Sequence, residues 1–150
     1  MEEVIRVLNQ LLAEGLILDY AIGGGIATLF YTLPFTTVDI DVFAVVQSQT
    51  ELIDLSPIYA RLRALGYRED GQYVRIGEFP VQLLVPPSPL EEEAVREADM
   101  RDIGATKARV FRPEYLAAIY LSVYRPKDRV RIEALLRSRS MNHDNLRKLI

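Results

Sequence analysis

The sequence predicts an α/β fold, in which a mixed β-sheet is flanked by helices and the chain closes with a helical C-terminal end. Segments with helical periodicity alternate with short apolar runs, which is typical of a sheet covered by helices. The chain has 150 residues, of which 49% are hydrophobic. That length and composition are enough for one domain over residues 1–150 with a substantial core.

The first part of the chain predicts alternating helix and strand. Apolar residues recur with helical spacing over 2–14, and Gly15 suits the C-terminal cap of that helix. The short apolar run over 16–22 predicts a buried strand. A second helix is expected over 26–33, where a proline ends it, and the Val-, Ile- and Phe-rich segment 37–46 predicts a second strand.

The middle of the chain predicts one helix and a pair of strands. Ser56-Pro57 opens the helix with proline at its first position, and Gly66 ends it. Residues 73–76 and 79–85 have the composition of two strands, and the tight turn Gly77-Glu78 joins them.

Prolines mark the starts of most later helices. The segment 88–91, Ser-Pro-Leu-Glu, has the pattern of a capping box. Pro113 and Pro126 each precede apolar residues at helical spacing, and a last short helix is expected from about Asn142. Between them, residues 107–111 predict a short edge strand.

Composition and charge exclude several classes of protein. With high apolar content and a net charge of only −3, the chain is not intrinsically disordered. The absence of cysteine excludes a disulfide scaffold and a thiolate zinc site. No apolar run is long enough to span a membrane, and the acidic N-terminus lacks the pattern of a signal peptide. We therefore expect a cytoplasmic protein without a membrane partner.

Three consecutive glycines, Gly23, Gly24 and Gly25, lie between the first predicted strand and the second helix. Backbone N–H groups at such a turn can bind phosphate, which approaches closely where side chains are missing. The alternative is a tight strand-to-helix turn with no ligand. No Gly-Lys-Ser/Thr follows, which excludes a P-loop, and the third small residue of a dinucleotide-binding fingerprint is missing.

Asp39 and Asp41 stand at alternate positions of the second predicted strand. Their side chains are therefore expected on one face, where the two carboxylates repel each other unless a cation lies between them. Carboxylate oxygens suit Mg²⁺ or Mn²⁺, with substrate phosphates as further ligands. The alternative is a solvated edge-strand face on which the charges oppose aggregation.

The glycine turn followed by Asp-x-Asp, with Thr37 just before it, resembles the signature of the polymerase-beta-like nucleotidyltransferase superfamily. The C-terminal segments 114–119 and 125–128, which include a Lys-Asp pair, are more closely similar to the AbiEii-type nucleotidyltransferases of toxin–antitoxin and abortive-infection systems. The resemblance implies a nucleotidyltransferase-like fold. It also implies a catalytic and metal-binding pair of aspartates, Asp39 and Asp41.

The resemblance further implies how a nucleoside triphosphate (NTP) is held. Gly24 and Gly25, with Thr37, would bind its phosphates, and Lys127 in the first turn of a helix would contact the triphosphate. Lys127 can equally be a solvated side chain beside Asp128. The implied partners are an NTP, an RNA or protein acceptor, and a second protein of a toxin–antitoxin pair.

Two positions depart from the pattern of the family. Gln82 stands where the superfamily has a third carboxylate, and Arg131 stands where the relatives often have a second acid after Lys-Asp. An amide can coordinate Mg²⁺ but cannot act as a base. We therefore expect metal-dependent nucleotidyl transfer from an NTP. The alternatives are a catalytically degenerate module of the same fold that binds a nucleotide, RNA or partner, and a subunit that acts only through association.

Overall fold

The computed structural model describes residues 1–47 and 52–150. The helices in this part of the chain are α1 (Glu2–Ala13), α2 (Gly24–Thr28), α3 (Ser56–Ala64), α4 (Pro89–Arg96), α5 (Pro113–Val123), α6 (Pro126–Leu136) and α7 (His143–Leu149). The strands are β1 (Asp19–Gly23), β2 (Ile40–Val45), β3 (Arg68–Asp70), β4 (Tyr73–Ile76), β5 (Phe79–Leu84), β6 (Asp99–Ile103) and β7 (Thr106–Val110).

Over these residues the strands form one sheet in the order β3-β4-β5-β2-β1-β7-β6. The sheet is mixed, because β2 pairs with β5 and β1 with β7 in parallel, whereas the other neighbours are antiparallel. This arrangement confirms the predicted α/β class, with helices packed on the sheet and three helices at the C-terminal end.

The second helix is shorter than predicted and begins earlier. The expected range of 26–33 was wrong, since α2 covers Gly24–Thr28 and is followed by turns. The hydroxyl groups of Thr28 and Thr32 each donate to the backbone carbonyl four residues earlier, at 2.9 and 3.1 Å. Such bonds, together with i→i−3 backbone bonds from Phe30, favour turns over a continued helix.

The second strand also begins later than predicted, at Ile40, so that Asp39 lies just before β2 rather than within it. Val38 is 63% exposed and does not face the core. Buried and half-buried residues alternate from Ile40 to Val45. The two faces of β2 are therefore different, with Asp41 and Phe43 on the less enclosed one.

The segment 107–111 was wrongly predicted as a sheet edge. Strand β7 lies inside the sheet, between β1 and β6, and β6 forms the edge. The sequence of β6 is mostly charged, Asp-Met-Arg-Asp-Ile. Because it contains no apolar run, the pattern used to predict the other strands does not detect it. Charged side chains of this kind are common on edge strands, where they oppose pairing with another chain.

Helix α5 borders a pocket on the face of the sheet that bears Asp41. This pocket is lined by two side chains of the sheet, Phe43 and Leu84, and by two of α5, Leu116 and Ile119. A search of the described residues finds no helix with the length and apolar character needed to cross a membrane.

Candidate functional site

The predicted site residues meet where β1 ends and β2 begins. In the antiparallel pairing of these strands, Gly23 lies opposite Asp41. The chain turns at Gly24 directly into α2, which therefore starts beside the Asp41 side chain.

The glycine turn has no room for side chains. Gly24 has φ of +61°, and a Cβ there would collide with the Asp41 carboxylate, 3.0 Å from its Cγ. A Cβ on Gly25 would lie 2.6 Å from Thr37 Oγ1 and 3.1 Å from Arg131 Nη2. Glycine is therefore required at both positions, because a side chain would collide with the Asp41 carboxylate, the Thr37 hydroxyl or the Arg131 guanidinium. A hydroxyl and a guanidinium are also groups that bind phosphate, and a carboxylate can bind its counter-ion.

Asp41 is half-buried and incompletely hydrogen-bonded. Its Oδ1 atom is enclosed and has no hydrogen-bond partner within the described part of the chain. The residue lines a pocket of about 190 Å³ that also borders Gly24 and Arg125. A buried carboxylate oxygen without a partner costs free energy, so this atom is suited to a ligand that supplies positive charge.

The electrostatic surroundings of Asp41 disfavour its charged form. Burial raises the pKa of the Asp41 carboxyl, and the neighbouring charge of Asp39 raises it further. The positive charges of Lys127, Arg131 and Arg125 act in the opposite direction on that pKa. Arg125, which precedes α6, and Lys127 and Arg131 within it are therefore close enough to influence the Asp41 carboxyl, although Lys127 itself is exposed.

Asp39 has a partner that the sequence did not indicate. Tyr73 of β4 donates its hydroxyl to Asp39 Oδ2 at 3.3 Å, and the Gln72 amide donates to the same hydroxyl at 2.9 Å. This contact orients one carboxylate oxygen of Asp39.

Gln82 lies directly beside Asp41. The parallel pairing of β2 with β5 sets Asp41 opposite Gln82, and both residues line the same pocket. The Gln82 amide is therefore a direct neighbour of Asp41 in the sheet. The site offers two carboxylates and an amide at this end of the sheet.

The start of α6 holds the cationic side of the site. Asp128 is fully buried and accepts hydrogen bonds from Arg125, at 2.9 Å from the backbone N and 3.1 Å from Nε. The first of these bonds, from the backbone N–H of the N-cap residue Arg125 to the Asp128 side chain, caps the first turn of α6. Asp128 thereby fixes the Arg125 side chain, which lines the pocket, and the helix start that carries Lys127.

The residues present fit a divalent cation bound partly by its substrate. Asp41 and Asp39 provide oxygen atoms of the kind that Mg²⁺ prefers, and Oδ1 of Asp41 has no hydrogen-bond partner within residues 1–47 and 52–150. Among the described residues no group of three or more His, Cys, Asp and Glu side chains could hold a metal. The remaining ligands would therefore come from Gln82, water or phosphate.

Sequence analysis found Gly24, Gly25, Thr37, Asp39, Asp41 and Lys127, and it missed a second group of residues around them. Tyr73 and Tyr120 come from other parts of the chain and belong to no local motif, whereas Arg125 stands in the segment 125–128 but was given no role of its own. Arg131 was noted only as a lost acid. Its spacing of four residues from Lys127, which places both on one side of a helix, was the available signal.

Comparison with known proteins identifies the fold of the chain but no family at the level of sequence. No protein-family model and no curated protein sequence matches the chain. Among solved structures, an antigenic nucleotidyltransferase-like protein from Paracoccidioides brasiliensis is similar over 97% of this chain and 83% of its own, with 18% identity and a TM-score of 0.63.

Two further solved structures have the same fold. ANT(2")-Ia in complex with adenylyl-2"-tobramycin matches 97% of this chain and 92% of its own, with 17% identity and a TM-score of 0.56. The Megavirus polyadenylate synthase matches 93% of this chain but only 31% of its own, with 14% identity and a TM-score of 0.54. At these identities the likeness establishes that the chain has a nucleotidyltransferase-like fold.

Proposed function

We propose that this protein transfers a nucleotidyl group from an NTP to a hydroxyl of RNA or protein, with Mg²⁺ or Mn²⁺ held by Asp39 and Asp41. The observation that carries this proposal is the Asp41 carboxylate, which has an enclosed, unpartnered oxygen and faces a pocket beside a glycine turn. The nucleotidyltransferase-like fold of the neighbours supports the same reaction class.

Each residue has a role in this proposal. The backbone at Gly24 and Gly25, with the Thr37 hydroxyl beside it, binds phosphate oxygens. Asp39, oriented by the Tyr73 hydroxyl, and Asp41 hold the cation. When bound, the ion offsets the negative charge of the phosphates and of the leaving pyrophosphate.

Lys127 and Arg125 add positive charge to the site, and Asp128 fixes the helix start that carries them. Gln82 contributes an amide oxygen but cannot take a proton from the acceptor. We therefore expect transfer to be slow unless the acceptor brings a group that accepts its proton.

The second candidate is a catalytically degenerate module that binds an NTP, an RNA or a partner protein. The observation that favours it is the amide at Gln82, directly opposite Asp41 in the sheet. The segment 125–128 supports a relation to AbiEii-type proteins. We accordingly propose a cytoplasmic protein that acts with a second protein of a toxin–antitoxin pair.

A labelled-nucleotide experiment separates the two candidates. The protein is incubated with each of the four α-labelled NTPs, Mg²⁺ or Mn²⁺, and cellular RNA and protein, and binding and covalent transfer are both measured. Transfer that is lost in Asp41→Asn but kept in Asp144→Asn, a control in which the acid is exposed, supports the enzyme. Metal-dependent binding without transfer supports the degenerate module, and neither binding nor transfer contradicts both.

A further inference from the structure

The hydroxyl group of Tyr73 lies next to one of the two acids that the proposed reaction uses. It donates to Asp39 Oδ2 at 3.3 Å, and it accepts a hydrogen bond from the Gln72 amide at 2.9 Å. Tyr73 is half-buried, whereas Tyr20 and Tyr120 are almost fully enclosed, at 1% and 4% exposure. The Tyr73 hydroxyl is therefore held in one place and is still accessible to a bound ligand.

The sheet sets Tyr73 on the same face as Asp41. Val74 of β4 lies opposite Val81 of β5. The next step along these two strands brings Tyr73 beside Gln82, which is itself opposite Asp41 in β2. Side chains that stand side by side on neighbouring strands project from the same face. Burial agrees, because Val74 and Val81 are buried and Tyr73 is only half-buried.

The surroundings of Tyr73 meet a chemical need that Gln82 leaves open. A hydroxyl that attacks phosphorus must lose its proton, and an amide cannot take it. The Tyr73 O–H already points at a carboxylate oxygen of Asp39, so a group that can accept the proton is in place. A separation of 3.3 Å is suitable, since such hydrogen bonds are often long before substrate binds and shorten in the reacting complex. Tyrosine is also one of the side chains that enzymes use as nucleophiles.

We propose that Tyr73 is an internal acceptor, so that the chain transfers a nucleotidyl group from an NTP to its own Tyr73 hydroxyl. This inference rests on the proposed function for the reaction class and names an acceptor for it. The phenol oxygen attacks the α-phosphorus of the NTP and forms a new P–O bond. The bond from that phosphorus to the oxygen bridging to the β-phosphate breaks, and its electron pair leaves on pyrophosphate. The Tyr73 proton passes to Asp39 and then to water.

The product of this reaction remains in the site that makes it. A nucleotidyl group on Tyr73 stands beside Asp39, and the modified tyrosine can no longer donate a hydrogen bond to that acid. Labelling is therefore expected to stop at a single nucleotidyl group per chain. The modified chain should also transfer more slowly to RNA or to another protein than the chain before modification.

Labelling of the purified full chain, without RNA or any other protein, tests the proposal. The chain is incubated with Mg²⁺ or Mn²⁺ and each NTP, labelled at the α- or at the γ-phosphate. Label from the α-phosphate should stay on the protein, whereas label from the γ-phosphate should leave with pyrophosphate. Trypsin cuts after Arg68 and Arg75, and in the peptide 69–75 the sole hydroxyl side chain is that of Tyr73. The mass of this peptide therefore reports modification of Tyr73.

Three variants and a dilution series sharpen the test. Tyr73→Phe keeps the ring but removes the acceptor, and it should carry no label. Asp41→Asn removes an acid of the reaction and should also lose labelling. Tyr124→Phe changes a tyrosine that is 56% exposed, and it should be labelled like the wild-type protein. The rate constant should not change when the protein is diluted, because the site and its acceptor belong to one chain.

The outcomes separate this inference from the proposed function. Transfer to added RNA or protein with peptide 69–75 unmodified would overturn the internal acceptor and support the proposed function. A slower transfer by Tyr73→Phe would in that case mean that Tyr73 only orients Asp39. Equal labelling of Tyr73→Phe, retention of the γ-label, or a rate proportional to protein concentration would also overturn the internal acceptor. The absence of transfer to every acceptor would contradict the proposed function and the inference together.

Discussion

Asp41 and Asp128 are acids on two sides of one site, and they differ in how their charges are satisfied. Asp128 is fully buried and accepts hydrogen bonds from the backbone and guanidinium of Arg125. Asp41 is half-buried, is repelled by Asp39, and has one enclosed oxygen without a hydrogen-bond partner in the described part of the chain. The charge of Asp128 is thus neutralised by the protein itself, whereas we propose that the charge of Asp41 is neutralised by a bound cation.

The difference separates residues that build the site from residues that act in it. Asp128 closes the first turn of α6 and so fixes the helix that carries Lys127 and Arg131. In the proposed mechanism Asp41 provides a ligand for a cation, and its raised pKa predicts that its charge lowers the stability of the free protein. The same residue type therefore has opposite expected effects on stability in the two regions, and substitutions can test this contrast.

The largest expected effect is the loss of transfer on substitution of Asp41. Asp41→Asn keeps the shape of the side chain but removes the charge that holds the cation. We expect transfer to fall by about 10³-fold or more, since several kcal/mol of charge stabilisation are lost and each 1.36 kcal/mol is roughly tenfold. Single-turnover rates with saturating NTP and Mg²⁺ measure this change. A variant that keeps more than about a tenth of the rate would remove Asp41 from the proposed mechanism.

A gain in cation affinity and in transfer rate is expected when a third carboxylate is introduced beside Asp41. Gln82→Asp adds a carboxylate opposite Asp41 in the parallel strand pair. It should bind Mn²⁺ more tightly and raise transfer by about 10²-fold, the lower end of what a general base provides, because the shorter side chain reaches less far. Mn²⁺ titration and the transfer rate are the two measurements. The conclusion fails if both are unchanged.

Substitution of Asp128 is expected to lower the stability of the folded protein. Asp128→Ala removes the helix cap, which typically costs about 0.5–2 kcal/mol. The larger penalty for an orphaned buried charge does not apply, because the Arg125 side chain is 51% exposed and can reach water. We expect the Tm to fall by about 1–8 °C. The exposed pair of Asp144 and Arg147 provides the control, and Asp144→Ala should leave the Tm nearly unchanged.

Most of the fold could be predicted from the sequence, because its signals are local. Pro113 and Pro126 begin α5 and α6 as predicted, and the turn at Gly77 joins β4 and β5. Strand β6 was missed, since its residues are mostly charged and only its pairing with β7 identifies it as a strand. The length of α2 was overestimated. The hydroxyls of Thr28 and Thr32 bond backbone carbonyls here, but threonines also occur within ordinary helices, so the sequence does not reveal where α2 ends.

The site was predictable only where its residues are close in sequence. The glycine turn and the Asp-x-Asp pair form a local motif, and both lie at the same end of the central strands. The contacts of Asp39 with Tyr73 and of Arg131 with Phe35 connect residues that periodicity does not relate. They depend on the order and register of the strands and on the packing of α6, which follow from the tertiary structure.

The smallest expected effect is a gain of stability in the metal-free Asp41→Asn protein. Burial and the charge of Asp39 raise the pKa of Asp41 above its ordinary value of 3.8. A raised pKa means that the folded state binds the proton more tightly than the unfolded state, so the contribution of this group to stability is fully present below pH 3.8 and is lost as the pH rises through the folded pKa. Removing the charge should therefore stabilise the protein at neutral pH, and the advantage should vanish toward pH 3.8.

Chemical denaturation in EDTA at several pH values measures this gain, and added Mg²⁺ with ATP should reverse its sign, because only the unmodified protein gains stability from the ligand. Asp19→Asn is the matched control, since Asp19 lies at the opposite end of the β1–β2 pair and is 3.1 Å from Arg109 Nε. That variant loses an ion pair and should not be stabilised at any pH. If Asp41→Asn behaves like Asp19→Asn, then Asp41 is satisfied within the protein, as Asp128 is, and the contrast between the two sides of the site does not hold.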